Sequence, residues 1–173
     1  MLVEACLSGD HAAFGALVDS YEAKLYNVAL RITGSRDDAM DVTQSAFVKA
    51  YEKLHTFDPS HRFFSWIYRI AINEALNMTR RRGATAELDP ETPQADGDPE
   101  RLSSDREHRV FLHRALAELT PEYRVVVVLK HLQGLSYREI ADLLGIDESL
   151  VKSRLFSARQ RLRLGLEKRG VLG

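Results

Sequence analysis

From Asp10 onward, apolar side chains fall at Phe14, Leu17, Val18, Tyr21, Leu25, Val28, Ala29 and Ile32. Steps of three and four place them on one stripe of an α-helix. Gly34 ends the pattern. Ser35-Arg36-Asp37-Asp38 then reads as an N-cap with carboxylates near the positive end of a second helix. That helix is expected to run to about Leu54, with Ala39, Val42, Ala46, Phe47 and Ala50 inward. Residues 57–62 hold Pro59 among polar neighbours and read as a loop. A third helix is expected from about Phe63, through Trp66, Ile67, Ile70, Ala71 and Leu76, to Arg80-Arg81-Arg82.

The C-terminal part is also patterned as helix. One segment spans about Arg106–Leu119. Thr120-Pro121 follows as an N-cap with proline at the first helical position, where its missing N–H costs nothing. The run Val125-Val126-Val127-Val128-Leu129 is strand-like in composition. It lacks alternation and nothing nearby offers a partner strand, so a helix closed by Gly134 is expected. Ser136-Tyr137-Arg138-Glu139 has the spacing of a capping box. Ile140, Ala141, Leu143 and Leu144 continue that helix, and Gly145 suits a left-handed turn. A last helix is expected from near Asp147 to about Glu167. Short helix, glycine turn, longer helix is the layout of a helix-turn-helix.

Composition divides the chain of 173 residues further. Residues 1–82 hold ten basic and ten acidic side chains, residues 83–106 two and seven, and residues 107–173 twelve and eight. The total of −1 is therefore a cancellation of parts. Gly83–Arg106 carries three of the five prolines, no aromatic residue, and only Leu88 and Leu102 as aliphatic side chains larger than alanine. Such a segment buries too little apolar surface to offset its ordering entropy, so it reads as a linker rather than a long surface loop. The expected architecture is all-α: two small helical domains, 1–82 and 107–173, joined by a flexible acidic linker over 83–106.

Several function classes drop out. The single cysteine, Cys6, forms no intrachain disulfide, and the six histidines are scattered without metal-ligand spacing. No apolar run approaches the ~20 residues of a membrane helix, and Met1–Asp10 has no basic leader. A soluble, reducing, cytoplasmic setting is expected. There is no phosphate-binding glycine loop, nucleophile elbow or paired acids in an apolar setting, so neither an enzyme nor a cofactor or metal is expected.

Three features carry chemistry. In the last helix Val151, Leu155, Ala158 and Leu162 form a packed face. Lys152, Phe156, Arg159 and Arg163 form the neighbouring one. Five basic residues and no acid lie between Ser149 and Leu166. Such a helix suits the major groove, with Lys152 and Ser153 near base edges and the arginines near phosphates. Were all five to meet phosphates, log affinity would fall with log salt at a slope of roughly −4.5. The plain alternative is a solvated basic helix end. Second, Phe57, Phe63, Phe64, Trp66 and Tyr68 crowd into twelve positions and lead into Arg69 and Arg80–Arg82. Rings among cations suit single-stranded DNA, although most of these rings are needed for a core and one or two remain for bases. Third, Asp37, Asp38, Asp41, Gln44, Ser45 and Lys49 form a polar helix face, either merely wet or docking a partner by charge complementarity.

These residues resemble a known family. Asp38-Ala39-Met40-Asp41-Val42-Thr43-Gln44-Ser45-Ala46-Phe47-Val48-Lys49-Ala50-Tyr51 is similar to the core-polymerase-binding motif of bacterial sigma factors. Phe57 to Asn73 with Arg80-Arg81 resembles their promoter-melting segment. Leu119-Thr120-Pro121, Gly134 to Ala141, and Val151-Lys152-Ser153-Arg154-Leu155 with Ala158-Arg159 resemble their C-terminal helix-turn-helix. The layout is that of the extracytoplasmic-function subfamily of sigma-70-type factors, which has the second and fourth sigma regions joined by a linker.

The resemblance implies a division of labour. Asp38, Asp41, Gln44, Phe47 and Lys49 would bind core RNA polymerase. Ser60, His61, Arg62, Phe63, Trp66, Arg69, Asn73, Arg80 and Arg81 would meet the unpaired minus-ten element of promoter DNA. Arg138, Lys152, Ser153, Arg154, Phe156, Arg159 and Arg161 would read the minus-thirty-five element as duplex. The acidic linker would pass near the polymerase cleft, and an anti-sigma factor is an expected second partner. The competing reading is a stand-alone helix-turn-helix regulator binding an operator as a dimer. A nucleic-acid enzyme would need a nucleophile that the chain does not display.

Overall fold

The computed structural model describes residues 2–82 and 112–168, and no strand occurs among them. They divide into two compact units, one of residues 2–33 and 37–82 and one of residues 34–36 and 112–168. The linker reading for 83–106 lies outside the described residues, as does the part of the expected Arg106–Leu119 helix before residue 112.

The first unit holds α1 (Leu2–Leu7), α2 (His11–Thr33), α3 (Arg36–Glu52) and α4 (Phe63–Arg82). Helix α1 was not legible in the sequence. It is six residues long, buries none of them fully, and packs on α2. Asp10 starts α2 by accepting the N–H groups of Ala12 and Ala13 at 2.9 and 3.3 Å, satisfying two of the donors that a helix start leaves open. The expected stripe is inward in α2, where Leu17, Leu25, Val28, Ala29 and Ile32 are buried. Helix α4 packs on α2. Its buried face is Ile67, Tyr68, Ala71, Ile72 and Ala75, which leaves Trp66, Ile70 and Leu76 half-buried. The core stripe is thus turned slightly from the expected one.

In the second unit a helical turn over residues 112–117 precedes α5 (Pro121–Val127), α6 (Tyr137–Leu144) and α7 (Glu148–Lys168). Thr120 occupies the N-cap position of α5 with an extended backbone, but its side chain makes no capping bond. All five residues of the Val125–Leu129 run are buried. One helical stripe cannot bury five residues in a row, so this run is enclosed on every side within its unit. Each buried Val or Leu side chain gains about 1.5–3 kcal/mol, whereas valine's helix penalty is below about 0.7 kcal/mol. Burial therefore overrides the strand propensity. The helix widens at its end into a π-turn, Val128–Leu132, with the Gln133 N–H donating to the Val128 carbonyl at 3.1 Å.

Arg124 is buried beside this run. Its guanidinium donates to the carbonyls of Leu116 (2.8 Å), Ala117 (3.2 Å) and Leu119 (3.1 Å), which end the preceding helical turn. Carbonyls at a helix C-terminus are short of intrahelical donors, so the charge meets a matching row of oxygens, of which that of Leu116 also accepts the Leu119 N–H at 3.1 Å.

The helix-turn-helix is present. The Ser136 hydroxyl accepts the Glu139 N–H at 3.2 Å, and Glu139 accepts the Ser136 N–H at 2.8 Å, closing the capping box of α6. Gly145 ends α6 at φ 66°, ψ 38°, a left-handed conformation that strains residues with a Cβ. Helix α7 then packs back on both α6 and α5.

Candidate nucleic-acid interface

The loop before α4 is shaped by Asp58. Its Oδ1 accepts the Ser60 N–H at 2.9 Å, and its Oδ2 lies 3.3 Å from the His61 Nδ1. The Ser60 amide, with lesser help from the Ser60 hydroxyl and His61, holds the Asp58 carboxyl below its usual pKa. Ser60, His61 and Arg62 are exposed at the turn this creates. Arg62, Trp66, Arg69, Asn73 and Arg80 follow at intervals of four, three, four and seven. They therefore share one side of α4, over about 27 Å. The ridge is exposed apart from half-buried Trp66. It alternates cation, ring, cation and amide, as a groove for unpaired bases and their phosphates would.

Two expected residues leave this ridge. Phe63 is buried, with its ring centroid 5.6 Å from both Phe57 and Trp66 and 5.8 Å from Tyr21. It is a core ring that supports Trp66. Arg81 is turned off the ridge and acts electrostatically on Glu74.

The polar face of α3 also needs correction. Asp41 and Gln44 are exposed, but Asp38 and Phe47 are buried. Asp38 sits in the first turn, where the helix dipole favours a carboxylate. Phe47 packs edge-on against Phe14, ring centroids 6.5 Å apart. Lys49 points away from Gln44 and pairs with Glu74 of α4, which also accepts from the Ser45 hydroxyl at 3.0 Å. Partial burial pushes the Glu74 pKa up, but the Lys49 and Ser45 bonds and the charges of Lys49 and Arg81 outweigh it and hold it low. The outward stripe of α3 instead combines Asp41 and Gln44 with Met40, 53% exposed, and Val48, 57% exposed. Sequence reasoning missed these two. The available signal was two apolar residues eight apart, outside the core stripe.

On α7, Lys152, Phe156, Arg159 and Arg163 form one exposed stripe, with Phe156 65% exposed. The Lys152 ammonium lies 2.7 Å from Glu148, one turn earlier, and 5.7 Å from the centroid of the Tyr137 ring. Lys130 sits 4.8 Å from the same centroid and donates to the Leu135 carbonyl at 3.1 Å. Ser153 and Arg138 are exposed, on a flank of α7 and on α6 respectively. Arg154 and Arg161 are not on the stripe. At about 100° per residue both lie roughly half a turn from Lys152. Arg154 is half-buried, and Arg161 lies 4.9 Å from the centroid of the Tyr123 ring.

Comparison with known proteins accords with this geometry. Residues 17–85 match the family described as sigma-70 region 2, and residues 111–162 match sigma-70 region 4. The ECF RNA polymerase sigma factor SigE of Mycolicibacterium smegmatis is 37% identical over 169 residues, covering 93% of this chain and 65% of that protein. The ECF RNA polymerase sigma-E factor of Escherichia coli is 35% identical over 174 residues, covering 94% of this chain and 91% of that protein. Among solved structures, CnrH in complex with the cytosolic domain of CnrY superposes with a TM-score of 0.72 at 28% identity, over 96% of each chain. A region 2 unit followed by a region 4 helix-turn-helix defines the class of sigma-70-type initiation factors. Within that class, the chain belongs to the ECF family of RNA polymerase sigma factors.

No described helix is long and apolar enough to cross a membrane.

Proposed function

We propose that the two units divide the work of initiation, residues 1–82 docking on core RNA polymerase and opening DNA, residues 107–173 reading duplex. Docking uses the outward stripe of α3, where Met40 and Val48 supply apolar area and Asp41 and Gln44 supply polar register. Lys49 acts at a distance from that stripe, through its bond to Glu74. The α4 ridge with the Ser60–Arg62 turn captures unpaired minus-ten bases, each stacked base being worth about 1–3 kcal/mol. The Lys152–Arg163 stripe enters the major groove of the minus-thirty-five element. Ser153 and Arg138 flank it.

The observation that carries this reading is the pairing, in one chain, of a cation–ring ridge with a capped helix-turn-helix. One suits single strands and the other duplex, and promoter opening presents both. The protein acts in the cytoplasm as a non-enzymatic factor. An anti-sigma factor covering the α3 stripe is its second partner. CnrH, solved with the cytosolic domain of CnrY, supports a protein partner of this kind.

Run-off transcription with purified core polymerase and a promoter library tests the proposal. Addition of this chain is expected to bind core and start transcription at a subset of promoters. Absence of core binding and of starts would overturn it. Tight binding to duplex by a dimer of the chain alone would favour a stand-alone regulator instead.

A further inference from the structure

We infer that Glu148 is a base-reading, specificity-determining residue for the minus-thirty-five element, accepting the N4 amino group of a cytosine within two steps of the base pair met by Lys152. The inference rests on the promoter-reading function proposed above for α7.

Glu148 opens α7, at the end from which a recognition helix presents side chains to base edges. It lies on the same exposed stripe as Lys152, Phe156, Arg159 and Arg163. Its Oε1 is 2.7 Å from the Lys152 ammonium, so its carboxylate is directed along that stripe. A groove that receives Lys152 therefore receives Glu148 as well.

An ionised carboxylate only accepts hydrogen bonds. Phosphates repel it, and in the major groove the donors on offer are the amino groups of cytosine and adenine. Adenine pairs its amino group with an acceptor, N7, which a carboxylate opposes. Cytosine is therefore the matching base. Lys152 complements this choice by donating to guanine O6 or N7, and its charge compensates the carboxylate inside the groove. Four residues of helix rise about 6 Å, less than two base steps of about 3.4 Å. The two side chains therefore read positions no more than two apart.

The test is a run-off assay of the holoenzyme on promoters randomised through the minus-thirty-five element, with starts counted by sequencing. Wild type is expected to prefer cytosine at one position by at least about five-fold. Glu148→Ala should flatten that preference. Glu148→Gln should move it toward adenine, because an amide pairs bidentately with N6 and N7. Lys152→Ala should lose a different position within two steps. With wild-type protein, a pyrimidinone that lacks only the 4-amino group should cost the same factor as Glu148→Ala, a measurement independent of how any variant folds. An unchanged base profile in both Glu148 variants overturns the inference, as does a change confined to the position lost by Lys152→Ala. Absence of starts from wild-type holoenzyme on every promoter would instead overturn the promoter-reading function, and this inference with it.

Discussion

Tyr68 is buried, and its hydroxyl has no hydrogen-bond partner among the described residues. Burial pushes the phenol pKa up despite the nearby charge of Arg31. A buried donor without an acceptor costs free energy, so Tyr68→Phe should raise stability by about 1 kcal/mol, read as a higher denaturant midpoint. Arg124 is the opposite case, a buried charge whose bonds reach three carbonyls. Arg124→Met would remove all three bonds, leaving only the Leu116 carbonyl with a backbone donor among the described residues, and should cost about 3 kcal/mol in chemical denaturation, with Arg124→Lys recovering only part for want of the planar fork. Glu74 gives a pH signature. Its folded pKa lies below its unfolded value, so its stabilisation is present above the ordinary carboxylate range and lost as pH falls through the folded pKa. Below about pH 5, Glu74→Gln should flatten the fall of thermal stability with pH relative to wild type. None of these roles was legible in the sequence, where Arg124 and Glu74 are single charges and Tyr68 is one ring among several.

At the scale of elements, self-contained local chemistry was mostly legible, although the Thr120 side chain makes no capping bond. The capping box and the Gly145 turn need only neighbouring residues, and both were readable beforehand. The π-turn over Val128–Leu132 was not, since no cap or turn residue in the sequence marks it. The recognition helix shows the same division. Sequence counts five cations in the body of α7, but three share the exposed stripe, while Arg161 rests on Tyr123 and Arg154 is half-buried. The contribution of α7 to the salt slope of duplex binding should thus be nearer about −2.7 than −4.5. Salt titrations of holoenzyme on promoter duplex check this. Arg159→Ala with Arg163→Ala should reduce the slope by about 2, and Arg154→Ala with Arg161→Ala should leave it nearly unchanged.

For the whole molecule, the proposed function puts docking and reading in separate units, so the two should be separable. Val48→Asp with Met40→Asp places charge on exposed positions. It should reduce core binding by ten-fold or more in a pull-down or fluorescence titration while helix content stays constant. Lys152→Ala with Ser153→Ala should lose the cognate promoter and keep core binding. The near-zero net charge fits such a division, since the basic reader is offset elsewhere in the chain. Duplex affinity without polymerase should accordingly be weak.

The sequence by itself determined the helical class, the starts and stops of the longer helices, the capped helix-turn-helix, and the cation-rich segments that make a nucleic-acid role legible. These follow from periodicity and from bonds between residues a few positions apart. Only the tertiary structure decided which flank of each helix faces outward. It buried Asp38 and Phe63, joined Lys49 to Glu74, and left Met40 and Val48 exposed. The reason is physical. A helix of known period still has to be rotated against its neighbours, and that rotation is set by contacts between residues far apart in the chain, such as Ser45 and Lys49 with Glu74.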